Sequence, residues 1–201
     1  MGRKTKMKIY LIRHGQTTGD IENRYGGDYD DELTDEGKIQ AHKLADKIAD
    51  SGIQVILCSP LIRAQQTAKI INTKLNCEIK TIRDLKERNQ NGILTGMIRE
   101  EAKLKYPELS EQVKDYRNQI QGAESYEDFV ARIKKTFMEI SNATNYSTIG
   151  IVTHGGPIRV IFREILKDRE IDIADCAYAI LNSEGQTLTL EARDGIEYKT
   201  D

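Results

Sequence analysis

Residues 8–17, KIYLIRHGQT, place a run of bulky apolar side chains directly before an arginine, a histidine and a glycine. The apolar half is short and is typical of a buried central strand. Residues 148–157, TIGIVTHGGP, show the same arrangement of a short apolar run followed by a histidine and glycines. Because ligands of open α/β sheets bind beyond the carboxyl ends of the strands, we expect His14 and His154 to meet at such an edge.

Strands and helices alternate over the rest of the chain. Further strands are predicted from short apolar runs and turn residues, at residues 55–58 and 78–82 and in a C-terminal hairpin of residues 176–181 and 187–190. Helices are predicted from apolar periodicity and capping residues, at residues 34–50, 59–75 and 157–166 and from residue 125 onward. This order predicts a three-layer α/β/α sandwich with a mainly parallel central sheet.

Two helix starts carry capping residues. Thr34 precedes two acidic residues, which suit the positive end of a helix dipole. Ser59 and Pro60 are expected at the N-cap and the first helical position of the next helix. Arg63 would then lie in the first turn of that helix, close to the carboxyl end of the strand at residues 55–58.

Composition limits the class of protein. The 201 residues fit a single domain, residues 1–201, and 30 basic against 32 acidic residues give a net charge of −2. This balance excludes a strongly basic nucleic-acid-binding protein. No apolar run approaches the ~20 residues that cross a bilayer, and three scattered cysteines suit a reducing compartment. We therefore expect a cytoplasmic protein without nucleic-acid or membrane partners, either a monomer or a homodimer.

Two segments fit the sandwich pattern less well. Residues 1–6 are mostly basic and polar, and are predicted to form a frayed arm. Residues 84–122 are polar, contain helical pieces and are interrupted by Pro107. We interpret this segment as an inserted helical subregion that covers the site as a lid and sets specificity.

Four basic or donor side chains lie at the ends of three predicted strands, namely Arg13, His14, Arg63 and His154. Guanidinium groups, imidazoles and nearby glycines suit a compact dianion, and a phosphoryl group is the natural candidate. The two arginines would also lower the pKa of His14, since a nearby positive charge opposes protonation. The third histidine, His42, lies on the charged face of a helix and is predicted to be solvent-exposed.

Five motifs occur in a fixed order along the chain. They are LIRHGQT at residues 11–17, LTDEG followed by QA within residues 33–41, SPLIRAQQTA at residues 59–68, LKE at residues 85–87 and VTHGG at residues 152–156. Together they resemble the histidine phosphatase superfamily, also called the phosphoglycerate mutase-like family, and its phosphatase branch in particular.

The resemblance implies a phosphatase of small phosphorylated metabolites that works through a phosphohistidine. His14 would be the nucleophile, Glu87 the proton donor and acceptor, and Arg13, Arg63 and His154 would hold the phosphoryl oxygens. It implies neither a metal nor another cofactor, because arginine and histidine supply the positive charge. The implied substrate-binding residues are Arg13, Gln16, Thr17, Asp20, Gly27, Arg63, His154 and Gly155.

Two departures from the family pattern keep alternatives open. Asp20 replaces the usual asparagine, and a carboxylate facing a dianion is repulsive unless it is protonated or paired, for which Arg24 is a candidate. This leaves open an inactive phosphoanion-binding regulatory module. Gln90 stands where mutases have tyrosine, and the chain has no adjacent pair of arginines. These differences favour a phosphatase, with a phosphoglycerate mutase as the alternative.

Overall fold

A six-stranded mixed sheet forms the centre of the molecule, whose computed structural model describes residues 6–143, 145–185 and 187–199. Its strands are β1 (Lys6–Arg13), β2 (Val55–Cys58), β3 (Glu78–Thr81), β4 (Thr148–Thr153), β5 (Ile171–Glu184) and β6 (Thr187–Tyr198). Their spatial order is β3-β2-β4-β1-β5-β6. The first four in this order run parallel, and β5 and β6 are antiparallel additions at one side.

The register of the central strands brings the two predicted histidines together. Arg13 of β1 pairs with Thr153 of β4, so that His14 and His154 leave the sheet at the same level. Cys58 at the end of β2 pairs with Val152, which brings the start of the following helix to the same edge.

Among the described residues, seven segments form α-helices around the sheet. They are α1 (Thr18–Ile21), α2 (Asp35–Lys47), α3 (Ile62–Leu75), α4 (Arg99–Lys105), α5 (Pro107–Gln112), α6 (Tyr126–Ala143) and α7 (Gly155–Val160). A π-helix, Ile161–Leu166, continues α7, and two short 3-10 turns cover Arg83–Leu85 and Gly92–Leu94.

Alternate residues of β1 face different layers, which follows from the two-residue period of a strand. Ile9 and Leu11 belong to the apolar cluster that includes residues of α6 and α7. Tyr10 and Ile12 belong to the cluster that includes residues of α2 and α3. Both faces of the sheet are therefore covered, which confirms the predicted three-layer sandwich and its mainly parallel sheet.

The predicted subregion at residues 84–122 contains α4, α5, the second 3-10 turn and all but the first residue of the other. It contributes to a third, smaller apolar cluster, formed by Tyr25, Leu94, Ala102, Val113 and Ile120. Pro107 begins α5, since proline at a first helical position loses no intrahelical hydrogen bond.

Several predicted boundaries were wrong. The helix expected from Ser59 begins at Ile62 with Leu61 as N-cap, because the carboxylate of Asp30 accepts the Ile62 N–H at 2.9 Å. The helix expected from residue 157 begins at Gly155. Both hairpin strands extend well beyond their predicted ends, while α2 ends at Lys47 and β3 at Thr81.

Lys6 belongs to β1 and not to a frayed arm, and the remainder of that predicted arm, residues 1–5, lies outside the described residues. Within the part of the chain that the structure describes, no helix combines the length and the apolar character that crossing a membrane requires.

Candidate active site

A cleft of about 830 Å³ lies at the carboxyl ends of the parallel strands. Arg13 and His14 from the end of β1, Arg63 from α3 and Gly156 from α7 line one side of it. Side chains of α4 and α5 contribute further lining, including Arg99 of α4. The sheet edge and the inserted helices therefore share one cavity.

The His14 side chain is buried and has a defined orientation. Its Nδ1 lies 2.8 Å from the carbonyl oxygen of Gly15, which can only accept, so Nδ1 carries the proton. Its Nε2 then has a free lone pair, toward which Arg63 Nε donates at 3.2 Å. Burial, followed by the charges of Arg63 and Arg13, holds the pKa of His14 well below its usual range. His14 is therefore neutral, and its unprotonated ring nitrogen is Nε2.

His154 lies beside it, with the two ring centroids 5.0 Å apart. The same Nε–H of Arg63 approaches His154 Nδ1 at 3.2 Å, and His154 Nε2 lies 2.7 Å from the Ser59 hydroxyl oxygen. Burial, then Arg63, lowers the pKa of His154 strongly. Ser59, predicted as a helix N-cap, instead orients this histidine.

Arg63 is anchored by groups from the loop between α1 and α2. Its Nη1 donates to the carbonyl oxygen of Tyr29 and to a carboxylate oxygen of Asp31, both at 2.7 Å, and its Nη2 donates to the carbonyl oxygen of Gly27 at 2.9 Å. The Arg63 and Asp31 side chains are only 5% and 8% exposed. Gly27, predicted to bind substrate, thus holds Arg63 through its backbone.

Arg13 is anchored from β5. Its Nη1 donates to the Ile173 carbonyl oxygen at 2.5 Å, and its Nη2 lies 3.2 Å from a carboxylate oxygen of Asp175. Its Nε is buried and has no hydrogen-bond partner among the described residues, although Arg13 lines the cleft. One donor of Arg13 is thus left for a ligand.

Glu87 lines the same cleft, next to the start of α7. One carboxylate oxygen accepts the Gly156 N–H at 2.9 Å, and the other accepts the Arg88 N–H at 2.8 Å. A Cβ atom at Gly156 would lie 2.0 Å from Glu87 Oε1, so only glycine permits this approach. The carboxylate is therefore held in a fixed position at the cleft.

The remaining predicted site residues are distributed unevenly. Thr17 lines the cleft, whereas Gln16 and Gly155 are absent from its lining within the described residues. The side-chain carbonyl oxygen of Gln16 accepts a hydrogen bond from the Thr34 hydroxyl at 2.8 Å, which fixes the loop after β1 to the start of α2. His42 is exposed on α2, as expected.

Asp20 also lines the cleft, but Arg24 is not its partner in the described structure. The Asp20 carboxylate accepts the backbone N–H of Thr17 at 2.9 Å and its hydroxyl at 2.8 Å, closing a capping box on α1. Arg24 donates to Glu22 and to the Gly96 carbonyl oxygen. The expected Asp20–Arg24 pairing was therefore wrong, because local capping groups satisfy Asp20 first.

The residues that anchor the arginines, Asp31 and Asp175, were not found from the sequence. Two acidic residues, Asp172 and Asp175, interrupt the mostly apolar stretch of residues 171–181, and the sequence does not show which of them reaches Arg13. Asp31 lies in the acidic run of residues 28–32, where no local pattern separates it from its neighbours. In the described ranges, no group of three or more histidine, cysteine, aspartate or glutamate side chains could hold a metal ion.

The sequence profile of the histidine phosphatase superfamily (branch 1) matches residues 9–194. The chain belongs to this family. Membership is consistent with a phosphoric monoester hydrolase of the histidine phosphatase type.

Some relatives of the chain are named as mutase-like proteins and others as phosphatases. Phosphoglycerate mutase-like protein 4 of Arabidopsis thaliana is 32% identical, with 77% of this chain and 69% of the relative covered. Phosphoserine phosphatase 1 of Hydrogenobacter thermophilus is also 32% identical, with 80% and 76% covered. A putative alpha-ribazole-5'-P phosphatase from Escherichia coli has a similar fold, with a TM-score of 0.84 at 22% identity and 97% and 99% covered.

Proposed function

We propose that this chain is a metal-independent phosphatase that hydrolyses a small phosphorylated metabolite through a phosphohistidine. The observation that carries the proposal is the orientation of His14. Its Nδ1 is committed to a backbone carbonyl oxygen, and its Nε2 lone pair lies among Arg63, His154 and the cleft. A neutral, desolvated imidazole with one fixed tautomer suits attack on phosphorus.

The first step transfers the phosphoryl group to the protein. Nε2 of His14 forms a bond to phosphorus while the ester oxygen leaves on the opposite side. Glu87, in its protonated form, gives its proton to that oxygen, so the product departs as a neutral alcohol. Arg13 Nε and Arg63 stabilise the charge on the equatorial oxygens, with His154 beside them.

The second step releases phosphate. A water molecule attacks phosphorus as Glu87 takes one of its protons, and the N–P bond breaks. His14 recovers its lone pair, and Glu87 is protonated again for the next cycle. Apart from the reacting water, the chain's own side chains carry every proton transfer and supply every positive charge that these two steps need.

A direct test compares the wild-type protein with His14→Ala in the presence of a metal chelator. The wild-type protein should release phosphate from an aryl phosphate, and the variant should lose at least about 1000-fold in kcat, because the nucleophile is absent. Acid-labile, alkali-stable phosphate should be trapped on the wild-type protein alone. His42→Ala, which removes an exposed imidazole on α2, serves as the matched control and should retain its activity.

Other outcomes of the same experiment would replace the proposal. Full activity in His14→Ala would exclude the phosphohistidine route. Isomerisation of phosphoglycerate that depends on a bisphosphate primer would establish the mutase alternative. Stabilisation by phosphate with no trapped phosphoprotein would indicate an inactive phosphoanion-binding regulatory module. The cytoplasmic location stays a prediction.

A further inference from the structure

Four buried side-chain atoms lack a hydrogen-bond partner among the described residues, and all four belong to residues that line the cleft. They are Arg13 Nε, Arg88 Nη2, Ser110 Oγ and Arg163 Nε. Buried polar atoms are nearly always paired, so each exception needs an explanation. Arg13 Nε belongs to the phosphoryl site, but Arg88 and Arg163 lie outside the group of side chains around His14.

Arg88 is the most unusual of these residues. It is only 4% exposed, and it makes no ion pair within the part of the chain described. Its Nε donates to the Glu124 carbonyl oxygen at 3.0 Å and its Nη1 to the Tyr116 carbonyl oxygen at 2.5 Å. The nearby Glu124 carboxylate instead accepts hydrogen bonds from Nε and Nη2 of Arg132, at 2.8 and 2.7 Å. A buried cation without a carboxylate partner is costly, and a bound anion would remove that cost.

Arg163 approaches Arg88 through two shared tyrosines. Both guanidinium groups lie over the Tyr126 ring, at 5.6 Å for Arg88 and 5.2 Å for Arg163. Arg163 also lies 5.0 Å from the Tyr116 ring and donates from Nη1 to the Tyr116 hydroxyl at 3.1 Å. Glu164 Oε1 is 3.7 Å from Arg163 Nε, which is beyond hydrogen-bonding distance. Arg163 Nη1 likewise lies 3.9 Å from Glu170 Oε1, so both carboxylates form ion pairs with Arg163 at distances too long for a hydrogen bond. The tyrosines thus fix two guanidinium groups, each of which keeps one buried N–H without a hydrogen bond among the described residues.

We propose that Arg88 and Arg163 form a second anion subsite, which binds an acidic group of the substrate other than the reacting phosphoryl group. This inference rests on the proposed function. Arg88 follows Glu87 directly in the chain, so the subsite adjoins the end of the phosphoryl site from which the alcohol leaves. The preferred substrates are therefore phosphomonoesters that carry a carboxylate or a second phosphate a few bonds from the ester oxygen.

A matched pair of substrates tests this subsite. O-phosphoserine and O-phosphoethanolamine differ only in a carboxylate. The wild-type protein should have a kcat/KM at least about tenfold higher for phosphoserine, the size expected for a hydrogen bond to a charged group. Ethylene glycol bisphosphate compared with its monophosphate tests a second phosphate in the same way. If the wild-type kcat/KM is about the same for the two substrates of each pair, so that both ratios are near one, the inference is overturned.

Arg163→Gln should reduce the larger of these two ratios toward one, because it removes a charge and the free Nε–H. Arg163→Lys retains the charge but not the planar donor set, and should give an intermediate ratio. Arg169→Gln removes a charge from the same cleft and is the control for a general electrostatic effect. If Arg169→Gln lowers the ratio as much as Arg163→Gln does, the subsite does not exist as described.

Binding measurements separate this inference from the proposed function. His14→Ala cannot form the phosphohistidine, so calorimetry with that protein reports binding without turnover. Phosphoserine should bind at least about tenfold more tightly than phosphoethanolamine, and adding Arg163→Gln should reduce this ratio of affinities toward one. This result would support the subsite even if the wild-type protein hydrolysed neither ester. Equal affinities would contradict the subsite even in an active phosphatase.

Discussion

At the scale of single residues, one N–H group links the two buried histidines. Arg63 Nε lies 3.2 Å from His14 Nε2 and 3.2 Å from His154 Nδ1. Because that N–H needs a lone pair on each ring, neither nitrogen can carry a proton while the contact persists. An incoming phosphoryl group can take over the Arg63 donor without any proton leaving the site. The resting arrangement is thus already in the protonation state that the proposed attack on phosphorus requires.

The same burial makes folding stability depend on pH. The pKa values of His14 and His154 are lowered in the folded protein, while the unfolded value is about 6.5. Below about pH 6.5 the unfolded chain therefore binds more protons, and the free energy of unfolding falls as the pH falls. The loss is at most about 1.4 kcal/mol per pH unit for each histidine. Above that pH the two histidines contribute no slope.

Urea denaturation between about pH 7.5 and pH 5.5 measures this slope. In His14→Asn the slope should be smaller than in the wild-type protein, by an amount that corresponds to at most one proton. The reason is that one of the two histidines that take up a proton only on unfolding is gone. Identical slopes for the two proteins would show that the His14 imidazole is protonated in the folded state.

At the scale of elements, the start of α7 meets the segment that carries Glu87. The Gly156 N–H binds one Glu87 oxygen, and an added Cβ would come within 2.0 Å of the other and 3.1 Å of Phe129 Cζ. Gly156→Ala should displace the carboxylate and lower kcat for an alkyl phosphate on the order of 100-fold. An aryl phosphate, whose leaving group needs no proton, should lose much less.

Gly26→Ala is the control, since Gly26 also lines the cleft and a Cβ there meets nothing within 4 Å. Steady-state kinetics with both esters makes the comparison, and thermal melting checks that both variants fold. An equal loss on the two esters in Gly156→Ala would indicate damage to the phosphoryl site and not to proton transfer.

Elements with a local signal were predictable, and those decided by distant contacts were not. The strand at residues 8–12 is a compact apolar run, and β1 contains all of it. The start of α3 depended instead on the Asp30 carboxylate, which caps Ile62 across the intervening residues. Likewise, Ser59 has the residue type of an N-cap, but its hydroxyl contacts His154 of another element. Spacing along the chain cannot show such contacts.

At the scale of the whole molecule, the three apolar clusters differ in size. The two clusters that flank the sheet contain 22 and 14 buried residues, whereas the third contains five. The helices α4 and α5 depend on the smallest cluster and should therefore open with a lower free energy than the central strands. Amide hydrogen exchange should label Arg99–Gln112 well before β1 and β4. Simultaneous exchange of both regions would mean that the chain opens only as one unit.

The candidate active site as a whole was partly predictable. Arg13, His14, Arg63 and His154 were expected at one edge because parallel strands end together, and the structure brings them together there. The acids that anchor the arginines lie far from them in the sequence or on another strand. Asp31 binds Arg63, which follows 32 positions later, and Asp175 on β5 binds Arg13 on β1. Arg163 becomes notable only through a buried nitrogen atom without a hydrogen bond, which is a property of the packed molecule.

The strand order has a consequence for synthesis on the ribosome. β4 lies between β2 and β1 and pairs with both, yet it is translated long after them. In a nascent chain that ends before residue 148, the edges of β1 and β2 that pair with β4 in the folded protein are exposed. Unpaired edges of apolar strands promote aggregation. Neither histidine pocket nor the Arg13 anchor on β5 exists at that stage. Growing chains should therefore depend on chaperone binding until the last quarter of the protein, which begins with β4, emerges.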